Sequence, residues 1–552
     1  MKYRLWFVAL LLFIFCRAVA QEATYKVTNY TTKNYGRDFN PTNWAIAQDK
    51  RGIIYAANGF KLLEFDGSAW KSYPINKTTW ILSIAVDTTG IIYTGSQNEF
   101  GFFAPDRRGE LKYHSLSDSL DINNHNFTNI RKIHTFSAGV AFQSDEKLFI
   151  YKNGKVSSLS PETSFHTSFV VNGRLFIRER GKGLMEWKDN RLTWIRGSEI
   201  FDTTGIFVML PLGRTGKKIL IGTQEKGFWL FDPEVNSNSF RRFNTEDEKL
   251  LNRSMITGGV ITPEGAIAIS TMLSGVIVID TLGRTKAVID TRNGLSDNDV
   301  KQLAVDQSSD LWAALNNGIS RIDISSQLTV ADERSGITGS INSIIRFEDL
   351  LYIGTTTGLF VQDNSARAEI PFRQVSGLSV PVWSLINAGG SLLAGTDAGI
   401  VRISGNGLSR LYNEESYVLY YSPELKLLLS GGQKGLSAFI LNGTFKKTDR
   451  IKIEGEDIIG IASERSGTQG SFEFWIGTRY KGVIRVIVSE NFISSTDKYS
   501  NTDGLPDGWV IPTEFNSKTV FETAEGLYGF TSENIVKESV PDSLKNNKEF
   551  RK

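Results

Sequence analysis

Gly294 to Asp323 reads GLSDNDVKQLAVDQSSDLWAALNNGISRID. A Gly-Leu turn opens the stretch, and Val300 to Val305 follows as an alternating apolar strand. Asp306-Gln307-Ser308-Ser309-Asp310 is turn chemistry, and Leu311-Trp312-Ala313 is a second short strand built on an aromatic. Asn316-Asn317-Gly318 makes a hairpin that needs positive φ, which Asn and Gly tolerate. Ile319 to Ile324 is a third strand, and a looser fourth is expected before the next Gly-Ile turn. One such unit has two apolar faces and can bury them only by stacking on copies of itself.

Copies run along almost the whole chain. The hairpin Gly recurs at Gly59, Gly101, Gly183, Gly227, Gly275, Gly318, Gly358, Gly399, Gly435 and Gly482, with degenerate copies near Lys147 and Ile535. The leading turn Gly recurs at Gly294, Gly336, Gly377 and Gly504. A period of about 40 residues with several strands per unit predicts β-propeller blades. The fold class expected is all-β, tandem β-propellers of about twelve four-stranded blades. One ring of twelve exceeds the usual range of about four to eight, so two rings are expected, 21–290 and 291–540. The strand Thr24 to Tyr30 is placed to close a ring by joining a distant blade. After Tyr528-Gly529-Phe530 a blade has begun but is not completed, and 541–552 reads as a polar tail cut short before further domains.

Residues 1–20 read as a secretory signal peptide. Lys2 and Arg4 precede the apolar run Trp6 to Cys16, and Ala18-Val19-Ala20 presents small residues for cleavage before Gln21. Lipidation at Cys16 is disfavoured by the bulky Phe13 and Phe15. Cys16 is the only cysteine, so the mature chain has no disulfide, thiolate metal site or cysteine nucleophile. Loss of Lys2, Arg4 and Arg17 leaves 59 basic residues against 60 acidic, which is no phosphate-seeking surface and argues against nucleic acid. The expected location is periplasmic or exported.

Chemical motifs are sparse. His114, His125, His134 and His166 show no metal-ligand spacing, no G-x-S-x-G elbow occurs, and the sialidase box is absent. Gly431-Gly432-Gln433-Lys434-Gly435 resembles a phosphate cradle but has no following helix to present an N-terminus. Arg178-Glu179-Arg180 is the one charge cluster that an enzyme reading could use, and a strand-edge role is the plainer reading. Neither catalytic residues nor a metal nor a cofactor is expected. What remains is a binding face. The connections leading into each innermost strand should lie by the central channel, and they carry Asn43-Trp44, Trp80, Asn126-Phe127, Trp383 and Trp509. Aromatic faces suit sugar rings and Asn supplies directed hydrogen bonds.

At these repeats the chain resembles the two-component regulator propeller family, the periplasmic sensor propellers of Bacteroidetes-type regulators. Gly294 to Asp323 carries the family repeat, with Ala313-Ala314 where a Gly-Thr is usual; Gly-Thr returns at Gly354-Thr355, Gly395-Thr396 and Gly477-Thr478. Leu62 to Trp70 and Gly95 to Gly101 resemble it too. The resemblance implies a non-catalytic sensor of an extracytoplasmic ligand, such as an oligosaccharide, coupled to a membrane-linked output domain or partner regulator, with homodimerisation in view. It also implies a triple-tyrosine domain, a transmembrane helix and an output domain, none of which follows here. An envelope scaffold for protein partners, or a propeller polysaccharide lyase or hydrolase, are the alternatives.

Overall fold

The computed structural model describes residues 25–537 except 76, 78, 214, 236–238, 327–332, 364–370, 406, 466–470, 490–491, 516–517 and 532–534. The expected signal peptide, 1–20, and polar tail, 541–552, lie outside the described residues. The chain divides into two compact units, Glu22–Val330 and Ala331–Lys552. Both are stacks of four-stranded antiparallel sheets, twelve in all among the described residues. In eleven of these sheets the strands pair in chain order, so the first strand is innermost and the fourth outermost.

In the N-terminal unit, blades 1 to 6 occupy 46–74, 81–115, 132–159, 165–194, 206–243 and 256–289. Blade 7 takes three strands from 300–323 and its outermost strand from Lys26–Tyr30, paired antiparallel with Ile319–Asp323. The inner strands touch their neighbours all the way round, including blade 7 against blade 1. This is a closed ring of seven. The blade that opens the repeat motif therefore completes the first ring rather than beginning a second, and the expected boundary at 290/291 moves to 330/331. Its looser fourth strand is not local either: the chain supplies it from the N-terminus, as the placement of Thr24 to Tyr30 anticipated.

The join is built from side chains of both ends. Tyr30 stacks on Trp312 (centroids 5.6 Å, 7° between planes) and meets Phe65 and Trp70 of blade 1 at 5.1 and 5.6 Å. Trp312 is 2% exposed, and its indole N–H donates to Asp306 at 2.8 Å. Asn29 donates to the Gly294 carbonyl and accepts from Ser320. At Gly318 (φ 94°) any Cβ would lie 2.7 Å from the Tyr30 carbonyl, so this turn demands glycine for space as well as conformation.

In the C-terminal unit blades 8 to 12 occupy 341–374, 382–412, 418–454, 458–499 and 510–537, with consecutive inner strands in contact. The final blade, expected to be unfinished, has its fourth strand at Ile535–Lys537. The degenerate copy near Lys147 is likewise a regular four-stranded blade, with the aromatic core of Phe142 and Phe149 replacing the missing glycine pattern.

Trp312→Ala should cost about 3–5 kcal/mol, the usual penalty for emptying a buried aromatic site. Urea unfolding read by tryptophan fluorescence would show it, and a loss below about 1 kcal/mol would mean that the ring is not held at this seam.

Candidate functional site

The turn between first and second strands has one recurring chemistry. Asp49, Asp87 and Asp306 each accept from the backbone N–H two and four residues on, which is the Asx device that Asp uses in turns. The second oxygen of each then accepts from the aromatic of the second strand, Tyr55, Tyr93 or Trp312. These carboxylates are therefore occupied, and they lie at the end of the blade opposite the channel mouth described next.

Antiparallel order puts three features at one end of every blade: the lead-in to the inner strand, the hairpin between second and third strands, and the end of the fourth. Backbone bonds tie the first two together. Gln224 N–H donates to Gly205, Met272 to Met255 and Asn316 to Asp299 in the N-terminal ring, and Thr356 to Ser340, Asp397 to Pro381 and Arg479 to Asp457 in the C-terminal unit. On this end of the N-terminal ring sit exposed apolar side chains: Phe60 (48%), Trp80 (39%), Met255, Met272 and Leu273. Phe60 and Trp80 meet edge to face at 6.5 Å. Met255 is also one of the few non-glycine residues with positive φ (58°), a conformation that costs energy for a side chain of that size.

A second regularity was not legible in the sequence. In blades 2, 4, 5, 6, 7, 8, 9 and 11 the inner strand slips register after its first residue, leaving Leu82, His166, Phe207, Thr257, Lys301, Asn342, Trp383 and Ile459 as bulged positions. A bulge re-aims its side chain. Here several of them reach the next blade: His166 packs on Phe207 at 5.2 Å, Thr257 donates to the Val300 carbonyl at 2.6 Å, and the Lys301 ammonium sits 5.1 Å from the Trp44 ring. Asn342 donates to Val382 and Trp383 abuts Tyr417 in the same way. Bulged side chains thus link inner strand to inner strand around the mouth.

Against this frame the expected binding residues separate into two kinds. Asn43 and Phe127 are structural, which corrects their assignment to the ligand face. Asn43 is fully buried; its amide donates to the Gly318 carbonyl at 3.0 Å and its oxygen accepts from Asn58, clamping blade 1 to blade 7. Phe127 is 3% exposed, wedged between Phe100 and Phe149. Trp44 is half-buried beneath Lys301, with its indole N–H buried and unpartnered. Trp80 and Asn126 are exposed on the lead-ins of neighbouring blades 2 and 3 of the N-terminal ring. Trp383 is half-buried, donating to Asp397 at 2.6 Å, and Trp509 is exposed; both belong to the C-terminal unit. The structure therefore pairs Trp80 with Phe60, which sequence reasoning passed over because Phe60 follows a hairpin glycine and looks like turn filling.

Arg178-Glu179-Arg180 is mainly structural. Arg178 is buried and donates to the Phe201 carbonyl at 2.9 Å and to the Asp202 carbonyl, and burial holds its pKa down to about 10. Glu179 is buried and accepts from the backbone of Glu162 and Thr163. Arg180 is half-exposed beside Asp145. Burial, reinforced by Lys132, pushes His134 down to about 4, and burial with Arg178, Arg180, Arg131 and Lys132 does the same to His166. No three His, Cys, Asp or Glu side chains gather as a metal site among the described residues, and no helix there is long and apolar enough to cross a membrane.

No protein-family model and no curated protein matches the chain. Solved structures do. The extracellular domain of a protein described as a hybrid two component system from B. thetaiotaomicron aligns with TM-score 0.67 and 17% identity, over 94% of this chain and 74% of that one. The likeness shows a shared fold. A second extracellular domain from B. thetaiotaomicron, described as belonging to a one component system, aligns at TM-score 0.44 and 13% identity over 93% and 79%. Virginiamycin B lyase from Staphylococcus aureus, inactivated and with quinupristin, aligns at 0.43 and 9% over 56% and 100%. The resemblance to two-component regulator propellers read from the repeats agrees with this fold.

Asn43→Ala should cost about 2 kcal/mol or more because it removes the buried hydrogen bonds that Asn43 makes to the Gly318 carbonyl and accepts from Asn58, whereas Trp80→Ala should fall within about 1 kcal/mol of wild type. Equal losses in urea melts would overturn the division into clamp and face. For the histidines the sign is fixed by the direction of shift: unfolded His134 and His166 take protons near 6.5 and the folded ones only near 4. Their contribution to stability is complete above 6.5 and is lost as pH falls towards 4. Replacing both with glutamine should flatten that limb of the pH–stability curve, and an unaltered limb would show that the two imidazoles are not buried neutral.

Proposed function

We propose that this chain is an exported, non-catalytic ligand-binding β-propeller module of a two-component-type regulator, with an oligosaccharide as its ligand. The observation that carries the reading is the exposed Phe60–Trp80 pair at the lead-in end of the N-terminal ring. An aromatic pair left half in solvent offers a face for an amphipathic ring, at a position where nothing in blade packing requires it. The same end carries directed polar groups: Thr79, whose hydroxyl donates to the Gln97 carbonyl and accepts from the Gln97 N–H, and the Asp299–Lys301 pair at 2.6 Å next to Trp44. The extracellular setting of the matched two-component-system domain supports an extracytoplasmic location. The turn carboxylates at the opposite end are occupied by turn hydrogen bonds and Arg178 is committed to backbone carbonyls, which supports the non-catalytic reading. The signal would pass to a membrane-linked output domain or partner regulator by differential affinity of ligand for two arrangements of the receptor.

The test is an oligosaccharide array probed with the chain lacking residues 1–20, followed by titration of the hits. Phe60→Ala with Trp80→Ala should weaken binding about 30-fold or more, as loss of an anchor of about 2 kcal/mol requires, without change in the melting curve. Full affinity in the folded double variant, or breakdown of the saccharide, would defeat the reading.

A further inference from the structure

Blades 3 and 4 of the N-terminal ring enclose a cluster of cations that the aromatic face does not use. Lys132 and His134 lie two apart on the inner strand Lys132–Phe136 and so share a side. That side faces blade 4, because the His134 Nε2 bonds the Ser168 carbonyl at 2.9 Å. His166, the bulged residue of blade 4, lies close enough to feel Lys132, Arg131, Arg178 and Arg180, and all four push it the same way. Its Nδ1 is buried and unpartnered. Arg131 and Arg180 stand at the half-exposed rim on either side of Asp145, at 3.4 and 3.8 Å.

Lys132 is the anomaly. The protein crowds its ammonium enough that desolvation alone lowers its pKa, yet it keeps a strip of accessible surface, as a channel-lining group does. Among the described residues its ammonium has neither an ion pair nor a hydrogen bond. Lys301, the bulged cation of blade 7, is by contrast paired with Asp299. An enclosed cation without a partner is costly, and such groups are kept where a counter-charge arrives from outside. Asp145 is already shared by two arginines and leaves the cluster with an excess of positive charge.

We propose that Lys132 and His166 form an anion site at the channel between blades 3 and 4, rimmed by Arg131 and Arg180, that takes an oxyanion: a free sulfate-like ion or the acid group of a charged sugar. The site stands independently of the Phe60–Trp80 reading. The Lys132 ammonium supplies the charge and the His166 Nδ1 a directed donor, while His134 is fixed by Ser168 and positions the strand.

The experiment is titration of the chain lacking residues 1–20 with sodium sulfate and, separately, sodium glucuronate, both in the millimolar range, against sodium chloride of matched ionic strength and against glucose. Melting temperature and isothermal calorimetry are the readouts. At least one oxyanion should bind, with affinity reduced about tenfold or more in Lys132→Met and largely kept in Lys132→Arg, as expected for a lost charge-assisted contact. Lys132→Met should melt no lower than wild type without anion, since it removes an uncompensated charge. Phe60→Ala with Trp80→Ala should bind the anion as wild type does, separating this site from the aromatic face. Response to sulfate alone assigns a free-ion site, and response to glucuronate assigns the acid group of a sugar. No response to either, or an equal response in wild type and Lys132→Met, overturns the proposal.

Discussion

Pairing of Lys26–Tyr30 with Ile319–Asp323 is the constraint on which the rest of the N-terminal ring depends. A ring of blades is a repeat array in which each unit buries its faces only against neighbours, so an open ring leaves two apolar faces wet. Here the two ends of the array are sewn into one sheet, and the sewing is reinforced by the Tyr30–Trp312 stack and by the Asn43 clamp from blade 1 to blade 7. The entropy of closing so long a loop grows only slowly with length, so one well-packed strand and its aromatic cluster suffice to offset it.

Closure also fixes the channel mouth. With seven inner strands held in a circle, each lead-in loop faces the same opening, and in blades 2, 4, 5, 6 and 7 the bulge after the first residue of the inner strand re-aims one side chain. The blades have spent this shared position differently. Blade 6 uses Thr257 to bond blade 7, blade 7 uses Lys301 to cover Trp44, and blade 4 places His166 among cations. The lead-in end of the ring thus carries an aromatic sector at blades 1 and 2 and a cationic sector at blades 3 and 4.

The sequence made the blades legible because their signals are local: an Asp turn, an aromatic second strand and a hairpin glycine. Nine of the ten ruler glycines have positive φ; the exception, Gly101, lies in a strand while Asn98 makes the turn. The ring boundary was not legible, since the partner of Ile319–Asp323 lies nearly 300 residues away and no local pattern marks it. The site was only half legible. Trp80 could be placed on the right loop, but Asn43 and Phe127 occupy equivalent loops and point inwards, and a lead-in position does not reveal whether its side chain packs or protrudes. Bulges were invisible because they depend on register between two strands, not on composition.

The central claim is that the lead-in end of the N-terminal ring is the ligand face. Amide hydrogen exchange with and without a saturating array-derived oligosaccharide tests it most directly. The account predicts protection concentrated at 42–45, 58–61 and 79–81, with the outer strands unchanged. Protection confined to the outer strands, or to the opposite turns at Asp49, Asp87 and Asp306, would contradict it.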